Sequence, residues 1–169
     1  MNAPVTIKDG SASVDIKEIG IVGAGQMGSG IAHVASLAGY TVKLIDISQD
    51  QLDKAVGTIQ RNMDRQVKRE KIGAADRDAA MTRIATGVDF GPLKNADLVI
   101  EAATENEDTK RKIFESRCPA LRPDALIATN TSSISITRLA STTDRPNKFI
   151  GLHFMNPVPM MELVELIRG

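Results

Sequence analysis

Short apolar runs alternate with helix-patterned segments along most of this chain. The first run, Ile19–Val22, leads through Gly23-Ala24-Gly25-Gln26-Met27-Gly28 into a segment where Ile31, Val34, Ala35 and Ala38 recur at helical spacing, ended by Gly39. A second run, Val42–Ile45, closes on Asp46. Ser48 can cap a further helix over about Gln49–Lys71, whose apolar stripe is Leu52, Val56, Ile59, Met63 and Val67. Gly73 sets off a short helix, Ala74–Met81, and Ile84–Thr86 reads as a short strand. Beyond the Gly91-Pro92 turn come a strand Leu98–Ile100 and a helix Glu107–Leu121, stopped before Pro123. Then follow a strand Leu126–Ala128, a short segment that Ser135 can cap, ending near Leu139, a strand Lys148–Leu152 that ends in His153, and an apolar-rich strand Glu162–Ile167. This alternation predicts an α/β fold with a doubly wound, mostly parallel sheet over residues 18–169, behind a flexible leader at residues 1–17.

The stretch Ile19–Asp46 carries chemistry as well as pattern. Strand, glycine turn, helix, strand, acid is the order of a Rossmann-like nucleotide-binding βαβ unit. Gly23 permits a sharp turn out of the strand, Gly25 lets a pyrophosphate approach the backbone, and Gly28 lets the helix pack closely on the strand. The helix start at Gln26 and Met27 turns unpaired N–H groups and a positive dipole end toward phosphates. Asp46 stands where a carboxylate accepts hydrogen bonds from the adenine ribose and repels a 2′-phosphate, so the expected cofactor is NAD rather than NADP.

Composition narrows the partners. Lys+Arg and Asp+Glu both number 21 among 169 residues, and aromatic residues make up 3% with no Trp. A balanced charge and few aromatics argue against a broad nucleic-acid surface or a base-stacking platform. Cys118 stands alone, cannot form an internal disulfide and fits a reducing, cytoplasmic compartment; it reads as an inert helix residue. No apolar run reaches membrane-span length, and residues 1–17 show neither a signal nor a transit pattern. His33 reads as a partly exposed helix histidine.

Further candidates sit in loops that follow strand ends, where open α/β sheets bind ligands. Glu105 and Asn106 follow the Leu98–Ile100 strand, as site residues or as helix-capping polar groups. Thr129-Asn130-Thr131-Ser132-Ser133 suits contacts to a cofactor amide or substrate carbonyl, and equally a plain helix N-terminus. The basic run Arg61, Arg65, Lys68, Arg69 and Lys71 is either a solvated face or an anion site for a phosphate-bearing substrate. If the chain reverses at Asn156-Pro157-Val158-Pro159, His153 and Glu165 fall opposite each other on neighbouring strands. A carboxylate so placed orients an imidazole and favours its charged form, the arrangement of a general base with its orienting acid; a structural ion pair is the alternative.

Taken together, Gly23–Gly28, Asp46, Glu101-Ala102-Ala103-Thr104-Glu105-Asn106, Asn130–Ser133 and Gly151-Leu152-His153-Phe154-Met155-Asn156-Pro157-Val158-Pro159 resemble the L-3-hydroxyacyl-CoA dehydrogenases, most closely the bacterial 3-hydroxybutyryl-CoA type. The resemblance implies an eight-stranded, mostly parallel sheet and NAD-linked oxidation of a short-chain 3-hydroxyacyl-CoA to the 3-ketoacyl-CoA, and the reverse. It implies that His153 is the catalytic base, Glu165 the acid that holds it, and Ser132 a hydrogen-bonding group near the substrate oxygen and the nicotinamide. Glu105 and Lys110 match positions that approach the cofactor, and Asn62 and Arg69 match positions that receive the CoA phosphates, where the family carries Ser and Lys. The family also has a helical second domain that forms a homodimer, and little turnover is expected of this stretch alone. A related sugar-acid dehydrogenase of the L-gulonate type and a non-catalytic dinucleotide-binding module are the competing expectations.

Overall fold

The glycine-rich turn sits at the centre of a seven-stranded sheet, where the chain changes direction across it. The computed structural model describes residues 6–8 and 13–169. The leader expected over residues 1–17 falls partly outside these residues; within them Thr6–Lys8 (β1) pairs antiparallel with Ser13–Asp15 (β2). The chain then runs through Glu18–Val22 (β3), Gln26–Leu37 (α1), Thr41–Ile45 (β4), Gln49–Lys68 (α2), Ala74–Thr82 (α3) and Ile84–Gly87 (β5). Leu98–Glu101 (β6), Glu107–Arg117 (α4), Leu126–Thr129 (β7), Ile136–Ala140 (α5), Phe149–Phe154 (β8) and Val164–Ile167 (β9) complete it.

The strand order is β5-β4-β3-β6-β7-β8-β9, with every neighbouring pair parallel except β8 and β9. The chain leaves β3 toward one edge and returns to its other side at β6, so a crevice opens beyond the carboxyl ends of β3 and β6. Seven strands stand in this sheet among the described residues, against the eight that the family resemblance implied.

Period-2 alternation sends side chains to two covered faces. Ile19 and Ile21 of β3, Val42 and Leu44 of β4, and Leu98 and Ile100 of β6 pack with α1 and α2. Val22, Ile45 and Val99 face the other way, toward Phe114, Leu139 and Phe149. Both faces are buried, which is why the central strands read as continuous apolar runs.

Helix ends follow local chemistry. Gly39, at φ +102°, lets Tyr40 N–H reach back to the Ala35 carbonyl and closes α1. Ser48 caps α2 by accepting from Gln51 N–H at 3.3 Å. That helix ends at Lys68, short of Lys71, because Glu70 turns left-handed at φ +56° and Lys71 N–H bonds to the Gln66 carbonyl. Its buried stripe is Leu52, Ala55, Ile59 and Met63; Val56 and Val67 are only partly covered. Expected helix Glu107–Leu121 ends as α4 at Arg117, with a tighter turn over Cys118–Ala120.

His33 is not partly exposed. It is 1% exposed, on the face of α1 that meets α2, where Nε2 donates to Gln66 Oε1 at 2.9 Å while Nδ1 is buried without a partner. Burial holds the imidazole below its ordinary range, against the opposing effect of the Gln66 bond. Cys118 is buried, and burial foremost pushes its thiol up to about 12, as an inert core residue requires.

Candidate functional site

The turn after β3 is shaped by three glycines with different roles. Gly23 holds φ +102°, and a Cβ there would lie 2.5 Å from the Ala103 Cα. A Cβ on Gly28 would fall 1.8 Å from the Gly23 carbonyl oxygen. Gly25 is the opposite case: nothing lies within 4 Å of where its Cβ would be. The space above it belongs to a cavity of ≈ 240 Å³ lined by Gly25, Gln26, Met27, Ala102, Ala103, Thr104, Glu105 and Asn130. The first turn of α1 opens onto this space, and its leading N–H groups are the ones that an α-helix leaves without internal partners.

Asp46 ties the turn to the next strand. Its Oδ2 accepts from Ala24 N–H at 2.8 Å and its Oδ1 from Ser48 N–H at 3.0 Å. Both oxygens are thereby fixed at the carboxyl end of β4, beside the glycine turn, with lone pairs left for further donors. An open cradle over Gly25, a helix start beside it and an acid at the second strand end fit a dinucleotide.

The same crevice continues to His153. A second cavity, of ≈ 290 Å³, is lined by Met27, Glu105, Asn130, Ser132, His153, Phe154, Met155 and Asn156, and so shares Met27, Glu105 and Asn130 with the first. His153 lies in β8 and is paired in register with Glu165 in β9. Its Nδ1 stands 2.9 Å from Glu165 Oε2, which leaves Nε2 as the free end of the ring. The histidine side chain is 20% exposed and the glutamate 49%. The reversal between the strands contains a cis Asn156–Pro157 bond.

Glu105 draws the two polar loops together. Its Oε1 accepts from Thr131 Oγ1 at 2.5 Å, Ser132 N–H at 3.0 Å, Ser132 Oγ at 3.3 Å and Ser133 Oγ at 3.0 Å. Partial burial pushes this carboxyl up, but those donors and the charge of Lys110 prevail and hold it below its ordinary range. Asn106 caps α4 by accepting from Thr109 N–H at 2.9 Å, the bland of its two readings. Ser135 caps α5 in the same way.

Lys110 has no exposed surface and pairs with Glu101, also fully buried, at 2.5 Å, so it lies beneath the crevice. Glu101 is the residue that sequence reasoning gave no role, whereas Asn130 belongs to the polar loop already expected to suit cofactor or substrate contacts. Asn130 lines both cavities and accepts from Phe154 N–H at 2.9 Å, fixing the end of β8. A glutamate ending an otherwise apolar strand was the available signal for the first.

Asn62 and Arg69 lie away from His153 along α2. Asn62 lines a cavity of ≈ 350 Å³ between α1, α2 and Asn156–Pro159, and also an adjoining one of ≈ 700 Å³. Arg65, Arg69 and Lys71 line the larger one, over buried His33. Asn156 borders both the ≈ 350 Å³ cavity and that of His153, so the two cavities adjoin at this residue. No helix among the described residues is long and apolar enough to cross a membrane.

Comparison with known proteins agrees with this geometry. A 3-hydroxybutyryl-CoA dehydrogenase of Bradyrhizobium diazoefficiens is 55% identical over 154 residues, which are 91% of this chain and 53% of that protein. The crystal structure of (S)-3-hydroxybutyryl-CoA dehydrogenase PaaH1 from Ralstonia eutropha superposes with TM-score 0.89 at 49% identity, covering 91% of this chain and 54% of that one. FadB2 of M. tuberculosis superposes with TM-score 0.86 at 40% identity, over 89% of this chain and 53% of that one. The chain thus spans about half the length of the curated relatives it matches. Residues 18–169 match the family described as 3-hydroxyacyl-CoA dehydrogenase, NAD binding domain, and the chain belongs to that family as its NAD-binding domain.

Proposed function

We propose that this domain serves the NAD-dependent interconversion of a short-chain L-3-hydroxyacyl-CoA and its 3-ketoacyl-CoA. The observation that carries the reading is the 2.9 Å contact between His153 Nδ1 and Glu165 Oε2, at the end of the crevice that starts over Gly25. The relatives' names as 3-hydroxybutyryl-CoA dehydrogenases support the substrate class. The cofactor supplies the acceptor for the hydride that leaves C3. The residues of the chain do the rest.

Gly25 and the start of α1 hold the pyrophosphate, and Asp46 holds the adenine ribose and turns away a 2′-phosphate. His153 takes the 3-hydroxyl proton at Nε2 as the C3 hydrogen leaves, and returns it in the reverse direction. Glu165 keeps Nδ1–H engaged, so the ring holds one orientation and its positive charge is balanced while the proton is on it. Ser132, released from Glu105, offers its hydroxyl to the substrate oxygen. Asn62 and Arg69 receive the CoA phosphates, and the thioester arm runs past Asn156, where the cavities adjoin, to His153.

With Glu165 half exposed, these residues alone exclude water poorly and position substrate loosely, so slow turnover is proposed for this stretch by itself. The test is NADH oxidation with acetoacetyl-CoA, followed by absorbance. It is run on the 169-residue chain and on a chimera joining it to the remaining half of the Bradyrhizobium diazoefficiens relative. Substrate-dependent loss of NADH is expected from the chimera; a folded chimera that binds NADH yet leaves acetoacetyl-CoA untouched overturns the reading.

A further inference from the structure

Beneath the crevice floor lies a charged network with no exposed surface. Glu101 ends β6, Lys110 lies on α4 and Thr129 ends β7. Glu101 Oε2 accepts from Lys110 Nζ at 2.5 Å and from Thr129 Oγ1 at 2.8 Å. Its Oε1 accepts from Ala103 N–H at 2.8 Å. All three side chains are 0% exposed.

Burying two charges costs solvation that their attraction does not reliably return, and well-packed apolar residues of similar volume often serve a core as well or better. The network therefore has another use. An apolar pair cannot accept the Ala103 N–H, and that bond fixes the loop that walls the site. Ala102 and Ala103 lie against Gly23, so closely that a Cβ on Gly23 would meet both. Thr104 and Glu105 follow them and line the cavity over Gly25, and Glu105 reaches from there to Ser132. Thr129, tied to the same carboxylate, leads into the neighbouring Asn130–Ser133 loop, which Glu105 also bonds. One buried carboxylate thus ties together the two loops that face the glycine turn.

We propose that Glu101 and Lys110 are positioning residues for cofactor binding, acting through the Ala103 N–H to hold the Ala102–Asn106 loop against the glycine turn. Both side chains lie without exposed surface beneath the crevice. The proposal rests on the crevice taking NAD and is independent of the acyl-CoA reading, because none of its tests uses substrate.

The experiment measures NADH affinity by fluorescence titration and amide exchange by mass spectrometry on the 169-residue chain and two double variants. Glu101→Leu with Lys110→Met removes both charges and the acceptor for Ala103. Glu101→Gln with Lys110→Met removes the charges but keeps an acceptor. The apolar variant is expected to fold, to exchange amides of residues 103–106 at least about tenfold faster than wild type, and to bind NADH about tenfold more weakly. The glutamine variant is expected to bind NADH within about threefold of wild type. Wild-type affinity in the apolar variant, or equal losses in both variants, overturns the proposal. Should either variant fail to fold, the wild-type Ala103 amide decides: protection matching that of β3 without NADH supports the role, and exchange at the rate of an open loop overturns it.

Discussion

His153 and Glu165 are twelve residues apart in sequence, yet they are direct cross-strand partners, Nδ1 to Oε2 at 2.9 Å. The register of β8 and β9 places them so, and His153, its Nε2 unengaged by Glu165, lines the cavity that Ser132 and Glu105 also line. Replacing Glu165 by Gln keeps a carbonyl that can accept from Nδ1–H and removes the charge. In the chimera, kcat for acetoacetyl-CoA reduction is expected to fall about 10- to 100-fold with NADH affinity unchanged. His153→Gln should remove turnover while leaving NADH affinity intact. Full activity in the His153 variant takes that residue out of the mechanism.

Gly25 and Gly28 separate binding from stability. A Cβ at Gly25 meets nothing within 4 Å, so Gly25→Ala should change stability by no more than about 0.5 kcal/mol. It would still intrude where the pyrophosphate must approach, and NADH affinity should drop by about tenfold or more. At Gly28 the added atom would sit 1.8 Å from a backbone oxygen, so Gly28→Ala should destabilise the fold by about 3 kcal/mol or more. Thermal melts paired with NADH titrations check both. A Gly25→Ala protein that binds NADH normally removes the cradle from the site.

Asp46 uses both oxygens on backbone N–H groups, so its removal has two effects. Asp46→Ala frees the Ala24 and Ser48 N–H groups and takes away the acceptor for the ribose. NADH binding should weaken by about 1.5–3 kcal/mol, the value of hydrogen bonds to a charged group. Asp46→Gly with an arginine introduced nearby should admit NADPH. A wild-type chain that binds NADPH as tightly as NADH refutes the selection argument.

How much of this was legible in the sequence depended on range. The βαβ unit was readable because its signals are local: apolar runs, glycines at fixed offsets, an acid at the next strand end. The His153–Glu165 pair was readable because two prolines within a short loop left one way back. Longer-range burial was not. His33 looked like any helix histidine, since the residue that makes its burial tolerable, Gln66, lies 33 positions away on another helix. The burial of Lys110, which entered only through the family resemblance, was not legible either: its partner Glu101 is hidden at a strand end, and a lysine reads as exposed unless paired. Helix α2 stopped early at a left-handed Glu70, which no glycine announced.

His33 also sets a pH dependence that can be separated from that of Glu105. Its folded value is lowered, chiefly by burial, from an ordinary 6.5. The unfolded chain therefore takes up the proton first. The stability that neutral His33 contributes is complete above 6.5 and is lost as the pH falls below it toward the folded value. The slope of this loss is at most about 1.4 kcal/mol per pH unit, or roughly 3–6 °C in Tm for a domain of this size. Glu105 is lowered too, from an ordinary 4.5: burial opposes the shift, and the Thr131, Ser132 and Ser133 donors outweigh it. Its contribution is complete above 4.5 and is lost only as the pH drops through its folded value. Melting curves as the pH falls below 6.5 thus report His33, and those below 4.5 add Glu105. His33→Leu should flatten the first window and leave the second unchanged, and Glu105→Gln should reduce the slope only in the second, where Asp124 and Asp144, both held low by their arginine partners, still contribute. A His33→Leu protein that keeps the wild-type slope between pH 6.5 and 4.5 would show that the buried imidazole is not the group being titrated.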